Sequence, residues 1–436
     1  MKLLNKKVTF LLCSIITIFS VGQAQAEKIA ITGAQVHTMS KLGILDNATV
    51  LIEDGKIVQV LDTNSVPSGY VEINASGKVI TPGFIGAHTS LGMVEVSSSA
   101  GVVDSRVDAE SLMPDLSTVG AAYDAQYAIN PDSTLIAITR LEGFTSAVTG
   151  ISRTGQLFNG KGAVISLDNV DSFDLLFKAG AYVHTDVGHG GADRNGESRA
   201  ALWVALNKSL DEASFASGYD MSPSEDWEGM ITRADAKVLI SVVKGDIPLA
   251  ITANRASDIL QVIALKKRFA NVNIILLGAS DAWRVADQIA QAGIPVILDP
   301  EYNLPGGFDQ LASTMSNAGR LHAAGVLVAI GMDTHNIRLA PQHAGNAVAN
   351  GLPHSAAIAA LTINVAKIFG FDNQLGSLET GKQADLVIWS GDPLEVTQAA
   401  EQVFIAGKAM PMESRQTKLR DRYLNRDTSK PVAYSK

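Results

Sequence analysis

The sequence is short of the residues that staple small domains and hold metal ions. Its 436 residues include one cysteine and eight histidines. That cysteine, Cys13, falls within an N-terminal segment that reads as an export signal. Lys2, Lys6 and Lys7 are followed by the apolar run Val8 to Val21, and Ala24-Gln25-Ala26 is a small-residue cleavage site. Residues 1–26 are therefore expected to be removed and the mature protein to be periplasmic, with no disulfide and no thiolate ligand. Leu11-Leu12 ahead of Cys13 does not suit lipid attachment.

Basic charge is scarce as well. The chain carries a formal net charge of −9, and losing the three signal lysines with no acidic residue moves it to −12. Such a surface excludes nucleic acid and anionic membranes as partners. No apolar run after the signal is long enough to span a bilayer. The Gly188-His-Gly-Gly191 stretch reads as having no strand before it and has no P-loop lysine after it, so a phosphate cradle is excluded; no Gly-x-Ser-x-Gly elbow occurs.

What is present is apolar residue, 46% against 18% charged, ample for one large domain and a smaller one. Residues 29–79 have the period of short strands. Val50–Val60 reads as a hairpin turning at Asp54-Gly55, which supplies the positive φ angles of a type I′ turn. Strands of the same kind return at 384–389 and 403–408, so both chain ends are expected to build one small β-sandwich. Between them, apolar runs at 143–149, 163–167, 248–252, 273–277, 294–298 and 326–331 alternate with helical patterns at 256–269, 281–292 (with Ser280 as N-cap) and 309–324. That rhythm predicts a (β/α)8 barrel, with a doubly wound open sheet as the alternative. The expected division is 27–80 with 376–412 for the sandwich, 81–375 for the barrel, and a polar surface tail at 413–436. The excursion at 97–135 and the Gly-rich stretch 184–197 are expected to lie over the barrel mouth.

The stretch on which a site turns is Val79–Val96, where the apolar run Phe84-Ile85-Gly86-Ala87 ends on His88. Ile80-Thr-Pro-Gly-Phe-Ile-Gly-Ala-His88, Gly331-Met-Asp333-Thr-His335 and the closing Gly376–Pro393 resemble the amidohydrolase superfamily, in its imidazolonepropionase-like branch, from about residue 28 to 425. The resemblance implies a distorted (β/α)8 TIM barrel with a composite β-sandwich. It also implies hydrolysis of non-peptide C–N bonds in small amides or cyclic amides by hydroxide on a divalent metal, zinc. The family would place His-x-His on strand 1, a histidine each on strands 5 and 6, and an aspartate on strand 8. Here His88 and Asp333 match. Ser90, Thr252 and Leu277 stand at the other three positions. One imidazole and one carboxylate do not complete a tetrahedral site, so the metal centre is expected to be degenerate.

Two functions follow from the resemblance: a hydrolase with Asp333 as catalytic base and His88 and Asp333 as metal ligands, or an inactive relative that binds a small molecule or a protein. Ser90, Thr252, Asn254 and His335 are expected to line the substrate pocket. His335 shares a strand face with Asp333 if the strand continues, and His184 and His189 sit on the Gly-rich loop. His37, His322, His343 and His354 fall far from the motif, and Glu95, Asp104, Asp108 and Glu110 read as solvated rather than as ligand contacts, the alternative their place in the long loop leaves open. A base beside Ser90 would make a serine hydrolase, and His88 is two residues away. A homo-oligomer is compatible with all of this.

Overall fold

The computed structural model describes residues 28–95, 102–107, 119–219, 221–222, 226–302 and 304–424. The expected signal with Cys13, together with Asp108, Glu110 and the end of the tail, lies outside the described residues. Among the described residues, no helix is long and apolar enough to cross a membrane.

Both ends of the chain meet in one sheet. β1 (Ile29–His37), β2 (Ile44–Glu53), β3 (Lys56–Leu61), β4 (Val71–Asn74) and β5 (Val79–Pro82) come from the start. The barrel strands are β6 (Phe84–Thr89), β7 (Phe144–Thr149), β8 (Phe158–Ser166), β9 (Leu176–Asp186), β10 (Leu249–Ala253), β11 (Ile274–Gly278), β12 (Val296–Leu298) and β13 (Val328–Ile330). β14 (Leu386–Trp389), β15 (Ala400–Ile405) and β16 (Lys408–Ala409) return to the first sheet. Its order is β16-β15-β14-β5-β1-β2-β3, with β4 also beside β1. The expected sandwich is thus one continuous hydrogen-bonded sheet of eight strands around a shared core. The β2–β3 turn has Asp54 at φ 49° and Gly55 at φ 74°, as its sequence requires.

Alternation along β14 joins the two units. Leu386 and Ile388 pack into the sheet's own core with Ile31, Val50 and Phe404. Val387 and Trp389 face the other way, into the barrel core. The Trp389 indole N–H donates to Thr81 Oγ1 at 2.9 Å, and its ring lies 5.1 Å from that of Phe84. Gly143, at φ 85°, lies under that ring, where any Cβ would collide with it.

Eight strands follow one another in sequence order, β6 to β13, and a bridge between Thr89 and Thr334 brings the ends together. This is the expected α/β barrel, nearly closed, with one departure. β8 runs antiparallel to both β7 and β9, so β7–β8–β9 is a meander in place of strand–helix units. The 281–292 helix is also built differently. A 3-10 turn, Ala282–Val285, precedes the α-helix Ala286–Ala292, and the Ser280 hydroxyl caps nothing because it donates to Asn254 Oδ1 at 3.1 Å. The expected 309–324 helix is confined to Asn317–Ala323. The tail forms a helix, Arg415–Leu424, with no buried residue.

Candidate ligand site at the barrel mouth

Inward-facing residues of the strands build the barrel interior from the bottom up. Ile85, Val148, Val164, Ala250, Ile275, Ile297 and Ala329 share one apolar cluster with Tyr182. Above it the character changes, because three strands end on polar groups. β6 delivers His88, turned inward where the pairing with β7 breaks register between Gly86 and Thr89. β9 delivers His184, and β10 delivers Thr252.

His88 and His184 face each other with ring centroids 5.9 Å apart, and Tyr182 lies 6.5 Å from His88. His88 Nε2 is 4.0 Å from Asp333 Oδ1, and the Ser152 hydroxyl donates to that oxygen at 2.8 Å. The Asp333 side chain is half exposed, whereas that of His88 is 13% exposed, so the carboxylate opens to solvent above a nearly covered imidazole. Leu277 is buried and gives this layer an apolar wall.

His184 is the residue that the sequence reading misplaced. It sits on β9, buried, and not on a loop. Its Nδ1 lies 3.0 Å from Asn159 Nδ2, and its Nε2 lies 2.9 Å from Thr252 Oγ1. Burial first, and then the neighbouring His88, push the imidazole down to about 3, so it is neutral at physiological pH. The signal for β9 was in the sequence: Ala181-Tyr-Val-His184 repeats the pattern of an apolar run ending on histidine seen at Phe84–His88. Asn159 and Ser152 had no such signal, since each reaches the site through the unexpected meander. The Tyr182 hydroxyl below is buried and has no hydrogen-bond partner among the described residues, and burial followed by Asp333 raises its pKa.

The other expected site residues have partners of their own or stand at loop positions. Ser90 is buried, and its backbone N–H donates to the Thr334 carbonyl at 3.1 Å. Asn254 ties two loops together, accepting from Ser280 through its side chain and from the Asp281 N–H through its backbone. β13 stops at Ile330, so no strand carries Asp333 and His335 on one face, and His335 takes no hydrogen-bond partner among the described residues. His189 opens the helix His189–Arg194 with its side chain exposed, 3.4 Å from Asp193. A strand does precede that glycine stretch, and the chain's own carboxylate takes its N-terminus: the Gly188 N–H donates to Asp186 Oδ1 at 2.8 Å. His343 is nearer the mouth than expected, with Nδ1 2.7 Å from Asp299 Oδ1 just past β12. Glu95 is not merely solvated, since it accepts from the Asn130 side chain and the Thr134 N–H.

Around the rim, Arg199 bridges Asp258 and Asp309 at 3.1 and 2.5 Å, and Arg255 binds Asp258 at 2.7 Å. These pairs lock the helices Arg199–Ala216 and Ala256–Arg268 to the mouth. Part of the long excursion lies there too: the Ser152 N–H donates to the Ser105 carbonyl. No group of three or more His, Cys, Asp or Glu side chains is gathered to hold a metal ion among the described residues.

Residues 233–411 match the amidohydrolase family. Imidazolonepropionase from Brucella anthropi is 26% identical over 405 residues, covering 86% of this chain and 95% of that protein. Imidazolonepropionase from a Geobacillus strain is 24% identical over 382 residues, covering 80% and 85%. Among solved structures, an amidohydrolase from Thermotoga maritima superposes with a TM-score of 0.76 at 24% identity, covering 88% of this chain and 99% of that one. A Xaa-Pro dipeptidase with bound methionine gives a TM-score of 0.55 at 15% identity, covering 88% and 100%. At those identities the structures establish the shared fold. The sequence matches show a similarity to the amidohydrolase family over residues 233–411 and to imidazolonepropionase over most of the chain.

Proposed function

We propose that this amidohydrolase relative is an exported protein whose barrel mouth binds a small amide or cyclic amide without a metal-bound hydroxide. The observation that carries this reading is the contact between His184 Nε2 and Thr252 Oγ1. Thr252 stands where the family resemblance calls for an imidazole ligand, and its hydroxyl is engaged by a neighbouring side chain. His184 is no substitute ligand, because both of its ring nitrogens have partners. The buried Leu277 has no lone pair to offer. His88 and Asp333 remain, and two ligands do not complete the coordination of a catalytic zinc. The ligand class follows from the related imidazolonepropionases, whose name denotes a cyclic amide, and from a site that pairs an exposed carboxylate with neutral polar groups over an apolar floor. Export rests on the N-terminal signal pattern.

Elemental analysis of the mature protein, purified without chelator, tests the metal-free reading; well under one equivalent of zinc per chain is expected. Stoichiometric zinc that is lost in His88→Ala or Asp333→Ala would overturn it and restore the hydrolase reading. N-terminal sequencing of protein from the periplasmic fraction tests export, with Glu27 expected as the first residue.

A further inference from the structure

The hydrogen bonds beneath the mouth run in one direction, and that direction is anchored by a backbone group. The Thr154 N–H donates to Asn159 Oδ1 at 3.0 Å. An amide N–H never accepts, so this bond fixes which end of the Asn159 carboxamide is oxygen. Its Nδ2 therefore faces the Ser152 carbonyl, at 3.3 Å, and His184 Nδ1, at 3.0 Å. A donor opposite Nδ1 makes that nitrogen the acceptor, and in a neutral imidazole the proton is then on Nε2. The Ile151 carbonyl also lies near the ring, and the opposite tautomer would carry its proton on Nδ1. It would set two N–H donors head-on at 3.0 Å. With its proton on Nε2, His184 donates to Thr252 Oγ1 at 2.9 Å. The Thr252 hydroxyl proton is left with no acceptor among the described residues, on a partly exposed side chain at the end of β10.

We infer that Thr252 is a committed hydrogen-bond donor to the ligand, set by the relay Thr154–Asn159–His184, and that the site therefore selects molecules presenting a carbonyl-type acceptor oxygen at that point. Asn159 and His184 are positioning residues, and Thr252 touches the ligand. Such a relay acts as a filter: a ligand group that only donates meets a donor and leaves it buried and unpaired. The inference rests on the barrel mouth being the ligand site, and it adds the polarity of recognition.

The test has two readouts on the full mature protein. The first, free of any ligand, is the tautomer of His184 from nitrogen-15 histidine NMR, assigned with His184→Gln. The Nε2–H form is expected, and Asn159→Asp, which offers an acceptor in place of a donor, is expected to put a proton on Nδ1. An Nδ1–H form in the unmutated protein would overturn the inference whatever the protein binds. The second is titration with 2-piperidone, a carbonyl acceptor, against piperidine, a donor of the same ring size. Preference for 2-piperidone is expected, weakened about tenfold in Thr252→Val and restored in Thr252→Ser. Unchanged binding in a folded Thr252→Val would overturn the donor role. Failure of the unmutated protein to bind either probe would overturn the amide-binding function and, with it, the ligand contact, while the tautomer readout would still report whether the relay runs as drawn.

Discussion

Two buried ionisable groups, one at the barrel mouth and one in the sheet domain, show opposite ways of keeping a titratable side chain in a protein interior. His184 faces a donor on one nitrogen and a hydroxyl on the other, and burial holds it neutral, down to about 3. Asp385 opens the return to the sheet just before β14. Burial raises its carboxyl to about 6, against the Ala406 N–H at 2.8 Å and the Gln383 amide at 2.9 Å, which both favour the charge. The first arrangement leaves a neutral hydroxyl facing solvent, which suits recognition. The second closes on itself and holds a turn. Ionisable residues of similar burial thus serve different ends, according to whether their hydrogen bonds lead outward or inward.

The largest expected effect breaks the mouth's character outright. Ser90→His, Thr252→His and Leu277→His together should raise zinc affinity about a hundredfold or more by supplying imidazoles where the resemblance implies them, as read by competition with a chromogenic chelator. An unchanged affinity would show that these positions do not face a common point. Next, Asn159→Leu removes the anchor of His184 and leaves the Thr154 N–H and His184 Nδ1 without partners. A loss of about 2–4 kcal/mol in urea unfolding is expected, since each stranded buried group costs about 1–3 kcal/mol.

The two groups also pull stability in opposite directions with pH. His184 titrates from 6.5 in the unfolded chain to about 3 in the fold, so the unfolded state binds more protons in that window. Its contribution is complete above 6.5 and is lost as pH falls toward 3. His184→Gln should flatten that loss in denaturation series between pH 7 and pH 4. For Asp385 the folded value, about 6, lies above the unfolded 3.8, so the folded state binds more protons there. Its contribution is largest below 3.8 and declines as pH rises to 6. The smallest effect should therefore be seen in Asp385→Asn: the unmutated protein's advantage over this variant should shrink between pH 4 and pH 6. An advantage that grew with pH would mean that the N–H donors outweigh burial.

Much of this was legible in the chain. The hairpin at Asp54-Gly55, the return of the C-terminal strands to the N-terminal sheet and most barrel strands follow from local period and turn chemistry, which act within a few residues. His88 was legible because an apolar strand ending on histidine states both its burial and its exit. The same pattern at Ala181–His184 was hidden by the glycines beside it, which read as loop until β8 and β9 are seen to pair. His335 went the other way: its spacing from Asp333 assumes a strand that stops at Ile330.

The sequence alone determined the fold class and the composite sheet, and it holds a single cysteine and Ser90, Thr252 and Leu277 at positions where the resemblance implies imidazoles. Those are matters of which residues exist and how apolar ones recur. Tertiary structure decided what surrounds Thr252. A register break turns His88 inward, a reversed β8 brings Asn159 under β9, and His184 comes within reach of Thr252, 68 residues further along the chain. The direction of a hydrogen bond depends on which donor stands opposite which acceptor across strands. No local pattern encodes that, because the partners become neighbours only when the barrel closes.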